Sequence, residues 1–376
     1  MKNFLLLTLL ITSCAQAQKT NHIFLPNDPA IEYNGRIDDS DPLKPSFCYS
    51  GVSIKTVLVG ESLSMTLDDM GLGDEQHSNY YTIIVDDSVH HVLEAKQGKH
   101  TYALVSGLKT GKHTIEIFKR TECAVGSTRF LGFSTPEGNV IERPIAKTRS
   151  IEFIGNSITC GYGNEASNAA PPAGSPNTGF HSKNENNYLA YGAITARNLN
   201  ASYRCVAYSG RGMYRNNTGS MEGTMPKIYQ RIFPDESSSV LWDVKKEQPD
   251  VLVVNVGTND FYLESEGNFV NESVFTKTYL AFLEELRRVY PNTKIICAVG
   301  NMMSDYWPEG RQCWTRIQKL VSDVVAERNT KGDAAVHYFK LDPQTPPYGE
   351  DWHPSIATHR KMASALTPFI KKVTGW

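Results

Sequence analysis

The sequence predicts an α/β protein in which a β-sandwich is followed by a parallel sheet with helices on both faces. Between residues 21 and 144, short extended runs are broken by turn residues about every ten positions, which is typical of a sandwich. From Thr148 onward, strand patterns alternate with helical ones, and this alternation predicts a parallel sheet. A length of 376 residues also favours two domains, since a domain usually has about 150 residues.

Residues 1–17 are predicted to be a signal peptide. A lysine precedes the apolar run Phe4–Ile11, which is far shorter than the ~20 residues of a membrane-spanning helix. Two cleavage patterns compete. Ala15–Ala17 fits release directly after this tripeptide, whereas Ile11–Cys14 resembles a bacterial lipobox that would leave Cys14 lipidated. Both patterns predict export from a bacterial cell, with the protein periplasmic, secreted or lipid-anchored.

Composition narrows the classes of partner. A formal net charge of −2 and a pI near 6.6 favour neither nucleic acid nor an anionic membrane. Seven cysteines, Cys14 among them, are widely spaced without a C-x-x-C pair, so disulfide pairing stays open. Cys205 and Cys297 lie in apolar strand patterns and are expected to be buried free thiols. No His/Cys cluster has zinc spacing, so neither a metal nor another cofactor is predicted.

Residues 18–147 are assigned to the β-sandwich domain, which we expect to be jelly-roll-like. Thr82–Val85 and Val89–Leu93 are predicted to form a hairpin with a polar loop. Thr101–Val105 and Thr114–Phe118 continue the strand pattern without any sustained helical period. An antiparallel arrangement follows from these short, evenly spaced runs.

Residues 148–376 are assigned to the parallel-sheet domain. Apolar residues at steps of three and four predict helices over Ser273–Tyr290 and about Arg311–Asn329, with Asn271 or Ser273 as the N-cap of the first. The strand candidates of this domain are Ser150–Ile154, Tyr203–Tyr208, Val251–Val256, Lys294–Val299 and Val336–Leu341.

Polar residues follow the ends of these strands. Ser157, Gly210 and Asn259 come after the first, second and third strands, and His353 comes after the fifth across a loop. Because ligands bind beyond the carboxyl ends of the strands in an open parallel sheet, these residues should meet at one edge.

The set contains what acyl transfer requires. His353 is a suitable base to activate the Ser157 hydroxyl as a nucleophile. The amides of Ser157 and Gly210 and the side chain of Asn259 could form an oxyanion hole. Each residue alone also fits a structural role: Ser157 a helix N-cap, Gly210 and Asn259 turn positions, His353 a surface histidine. Their joint, ordered occurrence favours catalysis. The absence of G-x-S-x-G around Ser157 argues against the α/β-hydrolase fold.

The segments IGNSITCGYG, AYSGRGMYRN, VVNVGTNDF and DWHPS resemble the four blocks of the SGNH (GDSL) hydrolases. Together with HTIEIFKRTE upstream, they resemble carbohydrate esterase family 2 in particular. The resemblance implies a β-sandwich joined to a flavodoxin-like SGNH hydrolase domain. It also implies hydrolysis of O-acetyl groups on plant polysaccharide, xylan or glucomannan, through an acetyl-serine intermediate.

The resemblance leaves the group that orients His353 open. The wider superfamily places its acid three residues before the histidine, at Glu350, and some family members use a backbone carbonyl instead. We take Asp351 as the triad acid, although a loop or cap carboxylate is the competing interpretation. Asn156 stands where many SGNH enzymes have aspartate.

Sugar rings have flat apolar faces, so we expect aromatic side chains that can stack on them at the mouth of the site. Trp352 is the best candidate, and Tyr162, Tyr214 and Trp307 are further ones. Two other classes of function stay open. One is an esterase, lipase, thioesterase or O-acyltransferase that acts on a non-carbohydrate ester, and the other is a non-catalytic glycan-binding protein.

Overall fold

The structure is a computed structural model, and it describes residues 21–74, 76–166, 179–236 and 240–376. The predicted signal peptide, both cleavage patterns and Cys14 lie outside the described residues. Among the helices of the described residues, none has the length and apolar character needed to cross a bilayer.

Two antiparallel sheets form the first half of the chain. The strands are β1 (Asn21–Phe24), β2 (Glu32–Asn34), β3 (Ser46–Phe47), β4 (Ser53–Val59), β5 (Leu63–Asp69), β6 (Tyr80–Val85), β7 (Ser88–Glu94), β8 (Gly98–Val105), β9 (Lys112–Lys119), β10 (Thr128–Pro136) and β11 (Val140–Glu142). One sheet has the order β1-β10-β5-β8, with β3 also on β10. The other has the order β11-β4-β9-β6-β7, with β2 also on β4.

The two sheets share one core. Alternate residues of β5 are buried, as expected of a strand with one face on the core. Across the core, the Tyr81 hydroxyl and Thr128 Oγ1 lie 2.6 Å apart, and the rings of Tyr33 and Phe130 lie 6.0 Å apart. The predicted sandwich is therefore confirmed.

The second half of the chain contains a parallel sheet. Its strands are β12 (Ser150–Gly155), β13 (Ser202–Ala207), β14 (Val251–Val254), β15 (Lys294–Val299) and β16 (Val336–Lys340). Their order is β13-β12-β14-β15-β16, and each adjacent pair is parallel. This is the flavodoxin-like order of doubly wound folds, so the predicted fold class is confirmed. Strand β14 is apolar throughout, and β15 is apolar after Lys294, as expected of strands that helices cover on both faces.

The described helices are α1 (Ser157–Cys160), α2 (Tyr191–Asn198), α3 (Met225–Ile228), α4 (Glu272–Val289), α5 (Cys313–Thr330) and α6 (Ile356–Thr374). Short 3-10 segments cover Cys123–Val125, Ser182–Asn184, Asn187–Leu189, Thr258–Glu266 and Glu350–Trp352. The N-cap of α4 is Asn271, whose Oδ1 accepts from the Val274 N–H at 3.1 Å. Helix α5 begins later than predicted because Gln312 adopts φ +48°, outside the helical region.

Polar contacts join the sandwich to the parallel sheet. Arg36 from the sandwich lies 3.5 Å from Glu152 on β12, and both side chains are fully buried. The Tyr229 hydroxyl donates to the same carboxylate at 2.6 Å. Cys48 and Cys123 form a disulfide within the sandwich half. Cys205 and Cys297 are buried free thiols, as predicted.

Candidate active site

Ser157 lies where the strand β12 gives way to helix α1. Asn156 caps this helix, with its Oδ1 accepting from the Ile158 N–H at 3.2 Å. The residue at 156 therefore needs only an oxygen acceptor here, which asparagine supplies as well as aspartate does. Ser157 is the first helical residue rather than the cap, and its side chain is free to turn toward the sheet edge.

His353 contacts Ser157 directly. The imidazole Nε2 lies 2.8 Å from Ser157 Oγ, although the two residues are 196 positions apart in the chain. The other ring nitrogen, Nδ1, lies 2.9 Å from the backbone carbonyl of Glu350. Because a carbonyl oxygen can only accept, Nδ1 must carry the proton, and Nε2 presents a lone pair to the hydroxyl. This is the tautomer that a general base needs.

The carboxylate predicted to orient His353 is engaged elsewhere. Asp351 accepts from the Tyr162 hydroxyl at 2.6 Å and from the Gly179 N–H at 3.0 Å. The described hydrogen bond of Nδ1 goes instead to the Glu350 carbonyl, which corrects the assignment of Asp351 as a directly bonded acid. The Asp351 charge lies close enough to favour protonation of the imidazole without contacting Nδ1.

The Glu350 carboxylate is also turned away from His353. It accepts from the N–H and Nδ1 of His181, at 3.0 and 2.8 Å, and from Asn184 Nδ2 at 2.6 Å. Only the backbone of Glu350 serves the imidazole.

An unusual turn places that carbonyl. Asp351 and Trp352 both adopt left-handed torsions, φ +49° and +59°, which most side chains avoid. The Gly349 N–H closes the turn on the His353 carbonyl at 2.7 Å. Gly163, with φ +55°, packs against it, and a Cβ there would lie 2.4 Å from the Cβ of Glu350. Glycine at 163 thus lets the serine and histidine loops meet.

Tyr162 packs against the imidazole. Its ring stacks on His353 with centroids 4.0 Å apart and an interplanar angle of 24°. Burial lowers the pKa of His353 to about 4, so the ring is neutral at physiological pH. Sequence reasoning considered Tyr162 only as a sugar platform and missed this contact. The signal was available, since Tyr162 lies five residues after the serine in the glycine-rich loop.

The two remaining predicted site residues flank Ser157. Gly210 follows β13 and Asn259 follows β14, the two strands on either side of β12. Asn259 Nδ2 donates to the Arg211 carbonyl at 2.9 Å, which ties the two loops together beside the serine. Gly210 has φ +76°, a conformation that favours glycine. One Nδ2 hydrogen of Asn259 and the Gly210 N–H have no acceptor among the described residues.

The aromatic residues predicted as sugar platforms differ in their exposure to solvent. Trp352 is 44% exposed beside His353, and Trp307 is 64% exposed. Tyr214 is buried, and its hydroxyl accepts from the Asn271 N–H at 2.8 Å. Tyr214 is therefore a packing residue, which corrects its inclusion among the platforms.

Among the described residues, one group of three close side chains has metal-ligating chemistry. Glu122, Cys160 and Glu185 have ligand atoms within 4.8 Å of one another, and all three are buried. Glu122 of this group contacts the loop that carries Gly210, since its carboxylate accepts from the Ser209 N–H.

Family models match both halves of the chain. Residues 33–144 match the Carbohydrate esterase 2 N-terminal model, and residues 151–366 match the GDSL-like Lipase/Acylhydrolase model. An acetylxylan esterase / glucomannan deacetylase from Cellvibrio japonicus is 31% identical over 349 residues, which cover 89% of this chain and 88% of that protein. The chain belongs to carbohydrate esterase family 2. As a member of that family it is a carboxylic-ester hydrolase.

Other relatives agree with this assignment. The cellulase/esterase CelE of Acetivibrio thermocellus is 39% identical over 352 residues, or 93% of this esterase, which spans only 40% of the length of CelE. A solved family two carbohydrate esterase from Clostridium thermocellum, in complex with cellohexaose, has a TM-score of 0.82 at 38% identity. That match covers 92% of this chain and 99% of the other.

Proposed function

We propose that this esterase hydrolyses O-acetyl groups on plant polysaccharide, xylan or glucomannan, with Ser157 as nucleophile and His353 as base. One observation carries the proposal: Ser157 Oγ lies 2.8 Å from Nε2 of an imidazole whose Nδ1 is held by a backbone carbonyl. Two Cellvibrio japonicus relatives named acetylxylan esterase / glucomannan deacetylase support the substrate class.

The proposed reaction has two steps. Nε2 takes the Ser157 proton as Oγ attacks the acetyl carbonyl, and negative charge develops on the carbonyl oxygen. The N–H groups of Ser157 and Gly210 and the Asn259 amide stabilise this charge. The imidazolium then protonates the departing sugar oxygen, which leaves an acetyl-serine. Water, activated by the same imidazole, releases acetate and restores Ser157.

The surroundings of His353 support its part in both steps. The Glu350 carbonyl accepts from Nδ1 throughout, which keeps the ring in one orientation. The Asp351 charge and the stacked Tyr162 ring favour the imidazolium that forms transiently. The site is therefore a Ser–His dyad in this proposal, with Asp351 acting at a distance. Trp352 is proposed as the sugar platform because of its exposure beside the base.

We also propose that the protein is exported and that its two domains divide between residues 147 and 148. The apolar run at residues 4–11 supports export, and the change from antiparallel to parallel pairing between β11 and β12 supports the division. Fractionation of the source cells, followed by mass spectrometry of the mature N-terminus, tests export and separates release after Ala17 from lipidation of Cys14.

The test of the catalytic proposal is Ser157→Ala, assayed on p-nitrophenyl acetate and on acetylated xylan and glucomannan. Acetate release should fall to background on all three, while Ser265→Ala, an exposed serine after β14, should keep wild-type rates. Near-wild-type turnover by folded Ser157→Ala would end the proposal. A preference for long acyl chains over acetate would instead indicate that the substrates are lipid esters.

A further inference from the structure

Glu122, from the β-sandwich half, reaches into the active-site region of the parallel-sheet half. Its Oε2 accepts from the Ser209 N–H at 2.7 Å, and its Oε1 accepts from the Ser209 hydroxyl. Ser209 immediately precedes Gly210, whose N–H is a proposed oxyanion donor. The carboxylate is 1% exposed, so water does not compete for either contact.

The backbone around Glu122 is fixed on both sides. The Glu122 N–H donates to Glu185 Oε2 at 2.9 Å, and Cys123 is tied to Cys48 by the disulfide. Lys119 Nζ donates to the Thr121 carbonyl at 2.7 Å from within the same segment. Glu122 therefore lies on a short, buried segment that these hydrogen bonds and the disulfide hold in place.

The groups that face Glu122 leave it as an acceptor. Burial and the neighbouring Glu122 charge raise the pKa of Glu185 well above its usual value, while burial raises the pKa of Cys160. Burial also raises the pKa of Glu122 itself, and the hydrogen bonds from Ser209 oppose that rise. Because the Ser209 N–H can only donate, Glu122 Oε2 accepts from it in either protonation state. Burial lowers the pKa of Lys119, which lies in the same segment as Glu122, to about 8. The carboxylate of Glu122 is left to accept from Ser209.

We propose that Glu122 is a positioning residue, supplied by the β-sandwich, that sets the direction of the Gly210 N–H in the oxyanion hole. The peptide plane between Ser209 and Gly210 carries that N–H, and glycine itself places little restraint on the plane. Anchoring Ser209 at both its N–H and its hydroxyl supplies the missing restraint. The inference rests on the proposed function and gives the sandwich a part in catalysis.

The experiment compares Glu122→Leu with Glu122→Gln on p-nitrophenyl acetate. Leucine fills a similar volume but leaves the Ser209 N–H without an acceptor, so kcat should fall about 10- to 100-fold with KM within about threefold, less than the loss of an oxyanion donor outright. Glutamine can still accept from that N–H while the Ser209 hydroxyl rotates to accept from its amide, and should restore most of kcat. Thermal unfolding confirms that each variant is folded.

Two matched variants separate positioning from general loosening of the interface. Tyr49→Phe removes a hydrogen bond of 3.2 Å from the sandwich to the Arg231 carbonyl and should lower Tm slightly with kcat unchanged. Glu185→Gln keeps a donor toward Glu122 and an acceptor for its N–H, and should retain kcat within about threefold.

A folded Glu122→Leu with wild-type kcat would overturn the inference, as would an equal loss of kcat in Tyr49→Phe. If leucine prevents folding, Ser209→Ala decides, since it removes only the hydroxyl contact. A three- to tenfold fall in kcat then supports positioning, and an unchanged kcat overturns it. Either failure is distinct from failure of the proposed function, which shows as ester hydrolysis that survives Ser157→Ala.

Discussion

Replacing Asp351 by asparagine separates a dyad from a conventional triad. In a triad the carboxylate bonds Nδ1 directly, and its conversion to an amide costs about 10⁴-fold in kcat because the tautomer is lost. Here Nδ1 donates to the Glu350 carbonyl, so Asp351→Asn leaves the tautomer unchanged. A much smaller effect is therefore expected.

The magnitude follows from the contacts of Asp351. Its carboxylate accepts from both the Tyr162 hydroxyl and the Gly179 N–H, whereas an amide presents one acceptor and one donor. The Tyr162 hydroxyl can turn to accept from the amide, so both contacts persist but lose their charge assistance. A hydrogen bond to a charged group is worth about 1.5–3 kcal/mol and a neutral one about 0.5–1.5 kcal/mol, and only part of that difference is felt at the imidazole. Since about 1.4 kcal/mol corresponds to a factor of ten, we expect kcat/KM to fall about tenfold and by less than about 100-fold.

The assay is steady-state hydrolysis of p-nitrophenyl acetate near pH 8, with circular dichroism to confirm folding. Tyr162→Phe is the matched control, because it keeps the ring on His353 and removes only the hydroxyl that Asp351 accepts from. It should cost less than about tenfold, consistent with one lost hydrogen bond. A fall near 10⁴-fold in Asp351→Asn, with Tyr162→Phe close to wild type, would refute the reasoning and restore a direct carboxylate–imidazole bond.

Three further predictions concern the same site. Burial lowers the pKa of His353 to about 4, and the base must be neutral, so kcat/KM should stay level from neutral pH and be lost as pH falls toward 4; an acid limb centred at or above 6.5 would contradict this. Asn259→Ala should lower kcat about 100- to 1,000-fold with KM little changed, and a loss confined to KM would argue against an oxyanion role. Trp352→Ala should impair acetylated polysaccharide more than p-nitrophenyl acetate, whereas equal losses on both substrates would indicate a structural role for this ring.

The strands of the parallel-sheet domain could be predicted closely because the sequence features that define each strand lie within a few residues. A strand buried on both faces is largely apolar, and it ends where glycine and polar residues begin, so β15 (Lys294–Val299) has the predicted bounds. The contact between Ser157 and His353 could be predicted from the sequence equally well. Parallel strands bring their carboxyl ends to one edge, and the order of the motifs then places both side chains there.

The sequence left open which group orients His353, with a backbone carbonyl among the alternatives. Every residue carries a carbonyl, so the identity of Glu350 says nothing about its backbone, and the acidic side chains nearby suggested a carboxylate instead. Two consecutive left-handed residues, Asp351 and Trp352, form the turn that directs the Glu350 carbonyl toward His353 Nδ1, while both carboxylates bond to other groups. Aspartate tolerates that conformation better than most residues, but tryptophan does not, so packing of the loop must impose it at Trp352.

Sequence alone determined the fold class, the family and the identity of the hydroxyl and imidazole that meet at the sheet edge. These rest on periodicity and on short motifs, whose physical effects act over a few residues. Tertiary structure decided which groups support that pair: the Glu350 carbonyl, the Tyr162 ring and the Glu122 carboxylate that arrives from the other half of the chain. Such contacts depend on how distant segments pack, and packing energy depends on shape and burial rather than on neighbours in sequence.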